Sequence, residues 1–222
     1  MNNLNYKEIN CKVPLNKINR MPYKWDLNIY RGCQHKCIYC FAIYSHKYMN
    51  TEKSLMTFTN SINNGANSNS VNNSFNSNSL SVNTNNNHSF NCHDDFYNDI
   101  YVKRNIVEAL EKQFRKSSWK REVVNVGGVT DSYQPTEKKL EIMPKILEVF
   151  IKYRNPIIIS TKSDLILRDI ELIDKLSKLT YVNIAGSITT FNEDIRKKIE
   201  PNTCSSMKRL NMLSRVKEET NA

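Results

Sequence analysis

The chain has 222 residues, 39% of them hydrophobic, with a mean hydropathy of -0.59. That length allows one domain with its own core and leaves little apolar surplus. No apolar run approaches the roughly 18 residues of a membrane span, and the opening stretch MNNLNYKEINCKVPLNKINR lacks the hydrophobic centre of a signal peptide, so the expectation is a cytoplasmic protein with no membrane segment. Thirty-two Lys and Arg against 22 Asp and Glu give a formal charge of +10. This charge favours encounters with polyanions such as nucleic acid, but the basic residues form no dense block, and a solvated basic surface explains them equally well. Six cysteines, at 11, 33, 37, 40, 92 and 204, occur without an export signal, which favours reduced thiols or metal ligands over disulfides.

In chain order, the first distinctive feature is the run Tyr30-Arg31-Gly32-Cys33-Gln34-His35-Lys36-Cys37-Ile38-Tyr39-Cys40. From Ser54 to His93 no charged residue appears, and Asn and Ser dominate. Such composition cannot offset the entropy of ordering, so residues 57–91 read as a disordered insertion within a single domain spanning 1–222. Its closure cost is on the order of 1 kcal/mol relative to a short connection, so the domain can continue across it. Beyond it, Val123 to Val126 reads as a buried strand ending in Gly127-Gly128. Pro144 to Tyr153 reads as a helix, with Ile146, Leu147, Phe150 and Ile151 on one face. Ile157 to Thr161 is the next strand. Leu165 to Leu179 is helical, with Leu167, Ile170, Ile173, Leu176 and Leu179 forming its stripe, and Tyr181 to Ile188 returns as a strand. Ser205 to Val216 makes a last helix with Met207, Leu210 and Leu213 in its apolar stripe. Strands alternating with helices imply an α/β fold with a parallel sheet, from which a barrel or part of one follows.

The cysteine triplet carries the chemistry. Three thiols at spacings of four and three residues let one short loop wrap one face of an iron-sulfur cluster, whose preferred ligands are thiolates. Three ligands for four irons leave one iron open to a substrate or cofactor. The competing reading is structural zinc, which would need a fourth ligand such as His35, His46 or Cys92. Cys11 and Cys204 stand alone and receive no role.

The CxxxCxxC arrangement with an aromatic residue before its last cysteine resembles the signature of radical S-adenosylmethionine enzymes. The longer string NIYRGCQHKCIYCFAIYSHKY, followed by VGGVTDSYQPTEKKL, ISTKSDLILRDIELI and SITTFNEDIRKKIEP, resembles the spore photoproduct lyase-like branch. What the resemblance implies is a partial (β/α) barrel carrying about four of the usual six strands, with the cluster loop following a first strand near Trp25 to Tyr30. It also implies a 4Fe-4S cluster, S-adenosylmethionine chelated at the open iron, an electron donor such as flavodoxin or ferredoxin, and cleavage to a 5'-deoxyadenosyl radical.

Residue by residue, the resemblance gives Cys33, Cys37 and Cys40 as cluster ligands and Tyr39 as a neighbour of adenine. Gly127 and Gly128 resemble the glycine motif at the methionine amino group, where the lack of Cβ atoms permits close approach, with Thr130 and Asp131 following in family order. Lys162 would meet the cofactor carboxylate or an anionic substrate, unless it is a solvated strand-end lysine. Ser187 would serve the methionine or ribose moiety, joined by Thr189. Arg31 and His35 fit surface or supporting roles equally, and Arg168 and Asp169 read as helix-start residues. Family members continue past the helix that here precedes VKEETNA, so a C-terminal half encoded separately is one expectation, and a cluster- or zinc-binding remnant without turnover is the alternative to a radical enzyme. The substrate is not legible.

Overall fold

In the computed structural model, which describes residues 4–46 and 92–222, four short apolar runs pair side by side in parallel. The stretch 57–91 lies outside the described residues, as do the side chains of Cys92 to Asp94. The strands in chain order are β1 (Asn5–Ile9), β2 (Leu15–Lys17), β3 (Trp25–Leu27), β4 (Tyr30–Arg31), β5 (Asp99–Lys103), β6 (Val124–Val126), β7 (Ile157–Thr161) and β8 (Val182–Gly186). The helices are α1 (Cys92–Asn98), α2 (Ile106–Phe114), α3 (Glu137–Leu140), α4 (Ile142–Tyr153), α5 (Ile170–Ser177), α6 (Glu193–Ile199) and α7 (Ser206–Glu219). Two 3-10 turns, Phe41–His46 and Asp164–Asp169, complete the set.

The larger sheet has the order β2-β3-β6-β7-β8, with β3, β6, β7 and β8 mutually parallel and β2 antiparallel at one edge. Among the described residues it is open, with β2 and β8 at its edges. Its register aligns Leu27 with Val126, Val126 with Ile159, and Thr161 with Gly186. The chain therefore leaves these four strands on the same side, and the segments starting at Asn28, Gly127, Lys162 and Ser187 share one rim. Open α/β sheets and barrels place their sites on that side of the strands. The smaller sheet, β1-β5-β4, pairs β1 parallel and β4 antiparallel to β5 and leads the chain from Arg31 into the cysteine loop.

Burial explains the order. Leu27, Val124, Val126, Ile157 and Ile159 are buried in the central strands, and Ile146, Leu147 and Phe150 from α4 and Ile173 and Leu176 from α5 belong to the same core. Full burial of each such side chain is worth about 1.5–3 kcal/mol, which outweighs the helix or strand propensity of any one residue. No helix among the described residues is long and apolar enough to cross a membrane.

Several expectations need correction. The run Leu165 to Leu179 is not one helix: a 3-10 turn capped by Ser163 precedes α5, and Leu179 is 40% exposed. In α7 the expected stripe faces the wrong way, with Met207 54% and Leu210 41% exposed. The buried face carries Ser206, Arg209, Met212 and Val216, with Leu213 only partly buried. The cause is Arg209, which is wholly buried in an ion pair with Glu200, so a charged residue occupies a position that hydrophobic patterning assigns to solvent. The strands β1, β2 and β5 and the helices α1, α2, α3 and α6 were not anticipated.

Candidate functional site

The rim of the parallel strands and the cysteine loop enclose a cavity of about 370 Å³. Ten residues singled out from the sequence line it, Cys33, Cys37, Cys40, Tyr39, Gly127, Gly128, Thr130, Asp131, Lys162 and Ser187, whereas Thr189 is not among the lining residues and bonds Glu200. Residues far apart in sequence thus meet because four strand ends meet. Met21, Tyr23, Phe41, Asn125 and Ser160 also line it and were not anticipated.

The cysteine wall is a loop held through its backbone. Cys33 N donates to Phe96 O at 3.0 Å, Cys40 N to Cys37 O at 3.1 Å, and Tyr97 Oη to Cys37 O at 2.6 Å. Lys36 adopts a left-handed conformation, φ 56°, which turns the loop between its first two cysteines. Cys33 and Cys37 are buried and Cys40 is half-buried. Burial pushes all three thiols up, Cys37 to about 11, with the Lys162 ammonium acting against burial at Cys37 and Cys40. Without a metal, the loop therefore presents thiols rather than thiolates at neutral pH, and loading must release their protons.

The opposite wall is set by the strand ends. Gly127 follows β6 at φ +92°, where an L side chain would be strained. At Gly128 an added Cβ would lie 2.5 Å from the Asp26 carboxylate. Asp26 is buried and accepts from Asn28 Nδ2, from Asn125 Nδ2 at 2.7 Å and from Gly128 N at 3.2 Å. Burial raises its pKa while these donors oppose the rise. The close approach that demands glycine at 128 is thus already made by Asp26 within the fold, whatever else the cavity admits.

Asp131 and Thr130 are tied into the framework. Asp131 Oδ1 accepts from Tyr133 N and Thr161 Oγ1, each at 2.8 Å, and Oδ2 accepts from Lys162 N at 2.8 Å. The ring of His35, 3% exposed, lies 3.3 Å from Oδ2 but out of hydrogen-bond alignment. Burial works against ionisation of Asp131, yet His35 and the backbone donors hold its carboxyl down at about 2. Thr130 Oγ1 donates to Gly32 O at 2.6 Å, and Gln134 Nε2 donates to the same carbonyl at 3.2 Å. These residues fasten the ends of β6 and β7 to the cysteine loop, and their side-chain bonds run to protein groups.

Lys162 places its ammonium 5.9 Å from the centre of the Tyr39 ring. Ser187 N donates to Thr161 O at 3.1 Å, and Ser187 O accepts from Arg209 Nη1 at 2.8 Å. Tyr39 Oη donates to Glu200, which also accepts from Thr189 Oγ1 at 2.6 Å and pairs with Arg209 at 2.7 Å. Burial and the Glu200 hydrogen bond raise the Tyr39 phenol. Glu200 was missed from sequence; its signal would have been a lone acid before Pro201, which is weak. Arg168 spans Glu137, at 2.9 Å, and Asp169, at 2.7 Å, so it clamps α3 to the turn before α5, as a structural residue would.

The donor set fits an iron-sulfur cluster: three thiols on one wall, facing a polar rim with a lysine. Among the described residues no three His, Cys, Asp or Glu side chains lie close enough together to hold a single metal ion.

Comparison with known proteins agrees in kind. The family model described as Radical SAM superfamily matches residues 27–221. An uncharacterized protein of Mycobacterium tuberculosis is 27% identical over 217 residues, covering 96% of this chain and 52% of that protein. An uncharacterized protein of Methanocaldococcus jannaschii is 26% identical over 211 residues, covering 95% of this chain and 62% of its own length. The chain therefore spans about half the length of the mycobacterial relative. No solved structure matches.

Proposed function

The chain belongs to the radical SAM superfamily, and on that premise we propose that its cavity holds a 4Fe-4S cluster on Cys33, Cys37 and Cys40 and binds S-adenosylmethionine beside it. The observation that carries this reading is that the three cysteines and the ends of β6, β7 and β8 line one cavity. When bound, the reduced cluster and S-adenosylmethionine together supply a 5'-deoxyadenosyl radical that abstracts hydrogen from a substrate.

The chain's own residues bind, orient and enclose. The loop from Cys33 to Cys40 supplies three thiolates once their protons leave. Lys162 supplies a positive charge beside Cys37 and Cys40 and offers its ammonium to a carboxylate. Ser187 and the Gly127-Gly128 turn offer polar backbone and a hydroxyl at the strand ends. Asp131 and Thr130 hold that rim at a fixed distance from the loop. The resemblance of the motif string supports a partial barrel and the spore photoproduct lyase-like branch, acting on an unidentified substrate in the cytoplasm with a small reductant such as flavodoxin. The formal charge of +10, and the ring of Phe41 at the cavity, 72% exposed, are compatible with a nucleic-acid substrate.

The test is anaerobic reconstitution with iron and sulfide, reduction with dithionite and incubation with S-adenosylmethionine. Release of 5'-deoxyadenosine above a Cys40→Ala control supports the enzyme reading. A fully loaded cluster giving none above that control reduces the assignment to cluster binding without turnover.

A further inference from the structure

We propose that Glu200, held by Arg209, is a positioning residue that fixes the Tyr39 ring in the cavity wall; its link to cofactor affinity rests on the reading that the cavity binds S-adenosylmethionine. Glu200 ends α6 and is wholly buried. Its Oε1 receives Tyr39 Oη and, at 2.6 Å, Thr189 Oγ1, while Oε2 pairs with Arg209 Nη1 at 2.7 Å. Arg209, also fully buried, donates to Ser187 O at 2.8 Å and from Nη2 to Cys204 O at 2.9 Å. One carboxylate therefore ties the residue before the last cysteine to the chain leaving β8 and to α7.

The backbone repeats the connection. Ile38 N donates to Ile199 O at 3.0 Å, and Asn202 Nδ2 to Gln34 O at 2.9 Å. These bonds hold the loop without Glu200, so the loop does not depend on the carboxylate for its attachment. What depends on it is the side chain of Tyr39, 49% exposed with its ring in the cavity wall, whose hydroxyl bonds Glu200 and lies 3.0 Å from Thr189 Oγ1, itself held by the same carboxylate. A half-exposed ring without that anchor would sample other rotamers. A buried ion pair is replaceable by apolar packing without loss of stability. Its use here is geometric, since it aims a charged acceptor at one phenol and locks a neighbouring strand-end carbonyl in the same bond set.

The experiment has two arms on the full chain. In cluster-free protein carrying 3-fluorotyrosine at position 39, the fluorine spectrum should show one narrow resonance, and Glu200→Gln should shift or split it. In reconstituted protein, equilibrium dialysis with S-adenosylmethionine should show Tyr39→Phe and Glu200→Gln each weakening binding about threefold to tenfold, with iron content unchanged. The double variant should bind no more weakly than the poorer single one, since Tyr39→Phe removes the hydroxyl and Glu200→Gln weakens the same bond by replacing its charged acceptor with a neutral amide. Tyr39→Phe leaves the buried ion pair intact, so it keeps the test open if Glu200→Gln fails to fold. Unchanged affinity in Tyr39→Phe, or a fluorine spectrum indifferent to Glu200→Gln, overturns the proposal while leaving cofactor binding in place. Absence of binding by the unmodified protein refutes the cavity reading instead, and the fluorine arm alone then decides whether Glu200 positions Tyr39.

Discussion

The two walls of the cavity are built by different means. The cysteine wall is eight consecutive residues, Cys33 to Cys40, whose chemistry is local and whose shape is borrowed from carbonyls elsewhere, such as Phe96 O and Ile199 O. The strand-end wall is assembled from residues scattered between Gly127 and Ser187, aligned by the register of β6, β7 and β8. Ligand identity thus lies in a contiguous motif, whereas the distance across the cavity is set by buried polar residues, Asp26, Asp131 and Glu200, which bridge the walls or brace one of them. Replacing a cysteine should remove the cluster and spare the fold; replacing a bridge should cost stability or geometry and leave the three thiols able to load.

The largest stability effect should come from Arg209→Ala. It leaves the Glu200 carboxylate buried without its cation, and breaking such a pair costs about 3–5 kcal/mol, measured by urea unfolding. A loss under 1 kcal/mol would show that the ion pair carries no bracing role. Next, Gly128→Val should cost about 1–3 kcal/mol because its side chain meets the Asp26 carboxylate, where an added Cβ would lie at 2.5 Å. This loss should appear in the cluster-free protein. A variant as stable as the parent would return Gly128 to a role reserved for a bound ligand.

How much of this was legible follows from which contacts are local. The strand Ile157–Thr161 reads directly from its apolar run, and the triplet from its spacing. The buried face of α7 did not, because pattern reasoning has no place for a fully buried arginine until its partner ten residues earlier than Leu210 is known to face it. The strand Asn5–Ile9 was illegible for another reason: none of its residues is fully buried, and it exists by pairing with Asp99–Lys103, more than 90 residues away. At Gly128 the residue was right and its cause incomplete, since the neighbour that excludes a side chain lies on β3.

A smaller effect sharpens the contrast. Thr130→Val removes the bond to Gly32 O and should cost about 1 kcal/mol, while leaving cluster loading intact. Smaller again is a pH effect confined to the cysteine wall. The thiols are raised by burial, Cys37 to about 11, so the folded cluster-free protein holds protons that the unfolded chain releases in the ordinary thiol range. Its stability should therefore fall as pH rises from that range towards about 11, and alkylation of Cys37 by iodoacetamide should be slow at pH 8 and accelerate above it. Fast alkylation at neutral pH would mean that the loop already presents thiolates.

The most direct measurement is electron paramagnetic resonance of the anaerobically reconstituted, dithionite-reduced protein, recorded with and without S-adenosylmethionine. The account predicts the spectrum of a reduced 4Fe-4S cluster, lost in Cys37→Ala and altered by the cofactor, because three thiolates leave one iron open. Stoichiometric zinc with no iron-sulfur signal, or a cluster whose spectrum ignores the cofactor, would contradict it.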